Sequence, residues 1–322
     1  MTDKTILVTG GTGSFGRRFV KTILEGYNPK KVIIFSRDEL KQSEMRQQSD
    51  DPRMRYFLGD VRDESRLRRA FEGVDIVVHA AALKRVDACE YNPFEAILTN
   101  VMGSKNVIDA AIDQGVEKVM AISTDKAVNP INLYGATKLC AEKMFVQGNA
   151  YSAGRGTRFS CARYGNVVGS RGSVIPVFEK QRAAGKITIT DERMTRFWLT
   201  LDVGVDFVIR CIECMAGAEV FVPLIPSMRI VDLAEAVAPG CKREVIGVMP
   251  GEKLHEVLIS ADESRDAVRG DGMFVIRPSH LQPAENESNG WEPVPDGYAY
   301  VSDTNDQWLS VEDLQDMIAK DA

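Results

Sequence analysis

Short runs of apolar, β-branched residues alternate with longer segments of helical period from the first residues of the chain. Thr5–Thr9, Val32–Ser36, Arg55–Gly59, Ile76–Ala80 and Lys118–Ser123 read as buried strands. Helix-period segments lie between them, the longest near Pro93–Gly115 and Tyr134–Ala153. Such alternation predicts an α/β fold, a doubly wound parallel sheet, because parallel neighbours need a crossover and a helix supplies it. After about Val168 the alternation breaks down and turns become denser, as in Gly169-Ser170-Arg171-Gly172 and Met249-Pro250-Gly251-Glu252. We therefore expect a nucleotide-binding domain over 1–168 and a smaller mixed α/β, substrate-binding part over 169–322, with chain crossovers between them. His280–Tyr298 reads as an ordered loop, and no internal repeat or low-complexity tract is visible.

Composition narrows the partners. Of 322 residues, 44% are hydrophobic and 27% charged, which is ordinary globular usage. A net charge of −6 argues against nucleic acid and membrane surfaces, both of which call for a basic face. No apolar run approaches the roughly 18 residues of a membrane helix. Met1-Thr2-Asp3-Lys4 leads straight into a strand and lacks the apolar core of a signal peptide, so a cytoplasmic protein is expected. The six cysteines agree with a reduced compartment. Cys211 and Cys214 form a C-x-x-C, but no second pair accompanies them, so core packing is expected and no metal site.

The first strand ends in Gly10-Gly11-Thr12-Gly13-Ser14-Phe15-Gly16, and an amphipathic helix follows. Gly10, Gly13 and Gly16 permit the tight turn, backbone approach to a pyrophosphate and close helix packing. The unpaired N–H groups of the helix start then face the anion. This is a Rossmann-like dinucleotide signature, with Thr12, Ser14 and Phe15 in the same turn. The second strand ends in Ser36-Arg37-Asp38, about 20 residues after the last glycine. Arginine there suits the 2′-phosphate of NADP. Arg37, with Ser36 and Lys41, favours NADP, while Asp38 leaves NAD open as the weaker choice. Asp60 and Val61 suit the adenine, and the small Ala80, Ala81 and Ala82 allow close cofactor approach.

The fifth strand runs into Ser123-Thr124-Asp125-Lys126, and Tyr134-Gly135-Ala136-Thr137-Lys138 opens the next helix. Tyr134 and Lys138 are four apart and share a helix face. An isolated Y-x-x-x-K is ordinarily a surface pair, but after the fifth strand of a dinucleotide fold it reads as catalytic. An ammonium beside the phenol lowers its pKa toward use as a base. A hydroxyl at position 123 or 124 would bind the substrate oxygen.

With these residues the chain resembles the extended short-chain dehydrogenase/reductases, and within them the inverting UDP-N-acetylglucosamine 4,6-dehydratases of the pseudaminic-acid type. Further matching stretches are Ser36–Glu44, Ala80–Lys84, Arg163-Tyr164-Gly165-Asn166-Val167, Met194–Trp198 and Pro250-Gly251-Glu252-Lys253-Leu254-His255-Glu256. Retaining 4,6-dehydratases carry Asp-Glu after the threonine, whereas Asp125-Lys126 follows the inverting group. The resemblance implies roles for Thr124, Asp125, Lys126, Tyr134 and Lys138 in catalysis. Asn100, Ser123, Tyr164 and Asn166 are then cofactor-binding, and Lys84 could reach cofactor or substrate. For the UDP-sugar it implies Asn166, Val167, Arg193, Arg196 and Glu252, with Arg171 a weaker candidate. It also implies a homo-oligomer, hexamer or dimer, and a role in glycan biosynthesis.

The mechanism expected from this resemblance is as follows. Tyr134 takes the proton of the C4 hydroxyl as hydride leaves C4 for NADP+. Lys126 removes the acidified C5 hydrogen, and Asp125 protonates the departing C6 hydroxyl. Hydride returns to C6, and C5 is reprotonated on the opposite face. For that, Lys126 must be neutral, so burial or a nearby cation should depress its pKa. One departure stands out: the family carries arginine before Pro-Gly-Glu-Lys, and this chain carries Met249. The rival readings are a UDP-hexose or UDP-N-acetylhexosamine 4-epimerase, which needs no Asp125-Lys126 pair, and a non-catalytic NADP-binding protein. His79 is expected near the cofactor, His255 in a structural role and His280 at the surface.

Overall fold

A computed structural model describes residues 1–152, 154–168, 174–277 and 290–321. The stretch Gly169–Gly172 with Arg171, and most of the expected loop at 280–298 with His280, lie outside them.

The first half is built from β1 (Thr5–Thr9), α1 (Ser14–Gly26), β2 (Lys31–Ser36), α2 (Glu39–Gln48), β3 (Met54–Leu58), α3 (Glu64–Phe71) and β4 (Ile76–His79). It continues with α4 (Val86–Tyr91), α5 (Pro93–Ile97), α6 (Gly103–Gln114), β5 (Lys118–Thr124), α7 (Leu133–Tyr151) and β6 (Arg158–Tyr164). Every residue of β1 and β4 is buried, as continuous apolar strands between two helical layers must be. In α1, Gly16, Phe19, Val20 and Ile23 fall at helical spacing and are buried, giving that helix its inward face.

The segment read as one helix over Pro93–Gly115 is α5 and α6 joined through a π turn, Leu98–Met102. The wider turn carries Asn100 inward, where Oδ1 accepts from Leu83 N at 2.8 Å and Nδ2 donates to Leu83 O at 2.9 Å and Thr137 Oγ1 at 3.0 Å. That local change of period lies outside what apolar spacing predicts, and such turns often sit at functional sites.

The second half adds β7 (Asn166–Val167), α8 (Val174–Arg182), β8 (Lys186–Ile189), β9 (Thr195–Leu199), α9 (Leu201–Cys214), β10 (Val220–Pro223) and β11 (Ser227–Arg229). Then follow α10 (Ile230–Val237), β12 (Lys242–Val245), β13 (Val257–Ile259), β14 (Ala267–Gly270), β15 (Met273–Ile276), β16 (Glu292–Pro293), β17 (Tyr300–Val301) and α11 (Val311–Asp321). The main sheet has the order β16-β14-β15-β10-β6-β5-β4-β1-β2-β3. From β3 to β10 neighbours are parallel, and β15, β14 and β16 close that edge antiparallel. It is a Rossmann-like doubly wound sheet that the chain re-enters after residue 168, so β10, β14, β15 and β16 extend it.

One apolar core follows this sheet, from Phe19 and Val78 through Phe159 to Phe274 and Tyr300. A second, smaller core gathers Ile187, Trp198, Met228, Leu233 and Leu314 beneath the three-stranded sheet β11-β9-β7. Cys89, Cys161 and Cys211 are buried as expected, but Cys140 and Cys214 are exposed, and all six are free thiols. Cys211 faces the core from α9 while Cys214, three residues on, is the last residue of the helix and meets solvent. Among the described residues no helix is long and apolar enough to cross a membrane.

Candidate active site

A cleft of about 610 Å³ opens at the carboxyl ends of the parallel strands, where ligands of open α/β sheets bind. Its first wall is the glycine turn. Gly10 has φ +66°, and a Cβ there would stand 2.9 Å from Ala81 N and Cα, so only glycine lets β1 pass the end of β4. A Cβ on Gly16 would fall 2.5 Å from Gly11 Cα, which fixes how closely α1 meets the turn. Gly13 caps α1 and no side chain bonds the first N–H groups, leaving them open to an anion. Thr12, Ser14, Phe15, Ser36, Arg37, Asp38, Lys41, Asp60, Val61, Ala80, Ala81, Ala82 and Lys84 line the same cleft. This cradle fits a dinucleotide.

The groups at its far end differ in availability. Thr12 Oγ1 and Ser36 Oγ are 2.9 Å apart. Asp38 caps α2, accepting from Lys41 N at 3.0 Å, and an ion pair joins Lys41 Nζ to the same carboxylate. Arg37 is half-exposed, 3.7 Å from Asp60. Burial works against the Asp60 carboxylate, but hydrogen bonds from Arg62 and the charge of Arg37 outweigh it and lower its pKa.

The opposite wall carries the chemistry. The end of β5 runs into a 3₁₀ turn, Asp125–Ala127, which packs on the first turn of α7. A Cβ on Gly135 would lie 2.2 Å from Lys126 O, so that glycine lets the turn sit against the helix beside Tyr134. Asp125 is fully buried, accepts from Thr124 Oγ1 at 2.8 Å and lies 3.1 Å from Lys126 Nζ. Ser123, Thr124, Asp125, Lys126, Tyr134 and Lys138 all line the cleft, with Tyr164, Asn166 and Val167. Buried Asp125 Oδ2 and Asn166 Oδ1 have no hydrogen-bond partner, so both remain available to a ligand.

Two electrostatic expectations are corrected. Burial pushes the Tyr134 phenol up to about 12, and the cation working against this is Lys126, helped by a hydrogen bond with Thr124. Lys138 instead donates to Ile122 O at 2.7 Å, and burial lowers its own pKa. The second concerns Lys126, expected to be depressed. Burial does disfavour its ammonium, but Asp125 and Glu256 outweigh burial and Arg196 together, so it is held above the ordinary lysine range. A partly buried amine flanked by two carboxylates gains more from them than desolvation takes away.

Behind this wall is a buried ion network. Glu142 of α7 accepts from Ser123 Oγ at 2.7 Å and Arg163 Nη2 at 2.6 Å. Arg163 also donates to Glu263 at 2.8 Å and Leu258 O at 2.8 Å. Sequence reading assigned no role to Glu142 or Arg163; the available signal was two opposite charges inside otherwise apolar segments. Asn100 also stands behind the wall, tying the segment after β4 at Leu83 to α7. His79 sits in this layer, bonded to Thr9 Oγ1 at 2.8 Å, and burial with Lys138 nearby depresses its pKa to about 3.

The residues expected to hold the UDP-sugar are not gathered in the same way. Lys84, Asn166 and Val167 face the cleft. Arg196 is mostly buried and donates to Thr195 O at 2.7 Å and Leu254 O at 3.0 Å. Arg193 is exposed and paired with Asp191 at 2.7 Å. Glu252 accepts from Met249 N at 3.3 Å, and Met249 itself is exposed. His255 bonds Thr195 Oγ1 at 2.9 Å.

A doubly wound sheet that sets this glycine turn opposite a Tyr/Lys helix defines an extended short-chain dehydrogenase/reductase. The chain belongs to the polysaccharide biosynthesis protein family, which it matches over residues 6–278. It is 51% identical to UDP-N-acetylglucosamine 4,6-dehydratase (inverting) of Campylobacter jejuni, over 98% of this chain and 97% of that protein. It is 45% identical to a Rickettsia felis protein called UDP-glucose 4-epimerase, over 85% of this chain and 83% of that one. Among solved structures, Pen from Bacillus thuringiensis superposes with a TM-score of 0.91 at 40% identity, covering 99% of this chain and 98% of that one. DesIV, a dTDP-glucose 4,6-dehydratase from Streptomyces venezuelae with NAD and TYD bound, superposes at 0.69 and 23% identity over 78% and 86%, a likeness of fold alone.

Proposed function

We propose that this chain is a C5-inverting UDP-N-acetylglucosamine 4,6-dehydratase with NADP as its resident nicotinamide cofactor. The carrying observation is the Asp125–Lys126 turn packed against Tyr134 on one cleft wall, an acid/base pair that an epimerase has no use for. The relative from Campylobacter jejuni supports the same reaction. When bound, the nicotinamide supplies a hydride acceptor that is regenerated within the cycle.

Tyr134 accepts the C4 hydroxyl proton, and Thr124 orients that oxygen. The C4 ketone acidifies C5–H, which Lys126 removes after passing its own proton to the Asp125 carboxylate, 3.1 Å away. Asp125, its Oδ2 free of other partners, hands a proton to the leaving C6 oxygen, and water departs. Lys138 holds the nicotinamide ribose, and the open N–H groups of α1 hold the pyrophosphate. NADP is favoured by Arg37 at the rim and by Asp38 being engaged in capping α2. Asn166, Val167, Arg196 and Glu252 belong to the sugar-nucleotide side, in the part over 169–322 and its border, with Lys84 reaching it from the segment after β4; Arg193 would have to leave Asp191. A homo-oligomer working in the cytoplasm on glycan precursors completes the reading.

Proton NMR of UDP-N-acetylglucosamine incubated with the protein in D2O tests it. A new C6 methyl signal with deuterium at an inverted C5 is expected. The galacto epimer with C6 intact would replace this reading with the epimerase.

A further inference from the structure

The segment after Met249 is fastened at three points to the catalytic turn and the stretch between it and α7. Asn132 Nδ2 donates to Gly251 O at 2.8 Å, and Lys253 Nζ donates to Val128 O at 2.5 Å. The third point is Glu256, whose Oε1 lies 3.4 Å from Lys126 Nζ. Glu256 is 2% exposed. Its Oε1 also lies 3.8 Å from Arg196 Nε, and its Oε2 is 3.9 Å from Lys253 Nζ with no hydrogen-bond donor. A carboxylate this deeply buried is costly unless cations face it, and three do.

We propose that Glu256 is a positioning residue for Lys126: opposite Asp125, it holds the amine at the cleft wall as an ammonium and so governs when that amine can act as a base. The groups facing Lys126 are Asp125 on its own turn, Glu256 and Lys253 on the segment before β13, Arg196 of β9 and the Tyr134 phenol of α7. Only Asp125 and Glu256 among these favour the charged amine, so neutralising Glu256 leaves burial and two cations opposed by one carboxylate. The consequence for turnover rests on the dehydratase reading, whereas the contact itself does not.

Cyanate carbamylates only neutral amines, so its rate at Lys126 reads the protonation directly. We would compare the protein with its Glu256→Gln and Glu256→Asp variants at one mildly alkaline pH, by peptide mass spectrometry. Labelling of Lys126 should rise by about tenfold in the Gln variant, the change in neutral fraction made by about one pKa unit, and less in the Asp variant, which keeps the charge. Lys138 should label at the parent rate. An unchanged Lys126 rate in both variants overturns the proposal, whatever happens in turnover, and the Asp variant serves if Glu256→Gln does not fold. In parallel, the acid limb of C5 deuterium exchange should move to lower pH in the Gln variant. A limb that stays put overturns the turnover half. Faster labelling with neither exchange nor dehydration in the parent protein would sink the dehydratase reading and leave the Glu256 contact standing.

Discussion

The two walls of the cleft are made in different ways. The cofactor wall is local: a turn between β1 and α1, the end of β2 and the end of β3, using backbone N–H groups and missing side chains. Its charged members, Arg37, Asp38, Lys41 and Asp60, stay partly in water. The catalytic wall is assembled from distant chain segments. Arg163 reaches Glu263 across 100 residues, Lys253 reaches Val128 across 125, and most of the groups involved are buried. The first wall needs permissive shape, so its glycines are fixed by backbone clashes while its charged side chains are replaceable at modest cost. The second needs exact charge balance in a dry setting, so each member depends on the others.

That contrast is open to test, beginning where the effect should be greatest. Tyr134→Phe removes the only proton acceptor proposed for C4 oxidation and should slow it by about 10²–10⁴-fold. Single-turnover absorbance of the reduced nicotinamide reads this, and an intact rate would remove Tyr134 from the chemistry. Next, Arg163→Met strands Glu142 and Glu263 without their cation and should cost about 3–5 kcal/mol, read as a lower urea midpoint. A loss below about 1 kcal/mol would mean that the buried network does not hold the wall, since that is the scale of exposed pairs.

On the cofactor wall, Arg37→Ala should weaken NADPH binding by about tenfold to a hundredfold, the worth of a hydrogen bond to a charged group, while NADH binding changes little. Isothermal titration with both cofactors decides it, and equal losses would return NAD to favour. The smallest effect is a pH dependence. His79 is depressed to about 3 in the fold against 6.5 ordinarily, so the unfolded chain binds its proton first as pH falls. Its stabilisation is complete above pH 6.5 and is lost as pH falls from there toward 3. Between pH 6.5 and 5 the loss is about 2 kcal/mol. Urea unfolding at those two pH values should show it, and His79→Asn should flatten the difference.

Much of the first wall was legible in the chain because it obeys short-range rules. The five strands fall within a residue or so of their apolar runs, and Gly10, Gly13 and Gly16 occupy the turn that spacing assigned to them. The second wall was legible only as candidates. Asp125, Lys126, Tyr134 and Lys138 do share the cleft, and Asp125 and Lys126 pair as read, but the partners of Tyr134 and Lys138 were misjudged. Lys138 turns to the Ile122 carbonyl, and the cation nearest in effect to Tyr134 is Lys126. Glu256 stood inside a quoted motif without a role, since nothing in Pro-Gly-Glu-Lys-Leu-His-Glu tells which charge will be buried. The π turn at Leu98–Met102 was hidden because its apolar residues Leu98 and Met102 are exposed while polar Thr99 and Asn100 turn inward, so apolar spacing does not mark its buried face.

By itself, then, the sequence determined the order of strands and helices, the phosphate-binding turn and the types of group available for acid/base work. Those follow from backbone sterics and from periodicity, which act within a few residues. Only the tertiary structure decided which carboxylates surround Lys126, which single oxygens of Asp125 and Asn166 are left without partners, and that β10, β14, β15 and β16 extend the sheet begun by β1. The physical reason is that protonation depends on burial and on charges a few ångströms away. Folding brings those charges from positions that local sequence does not couple.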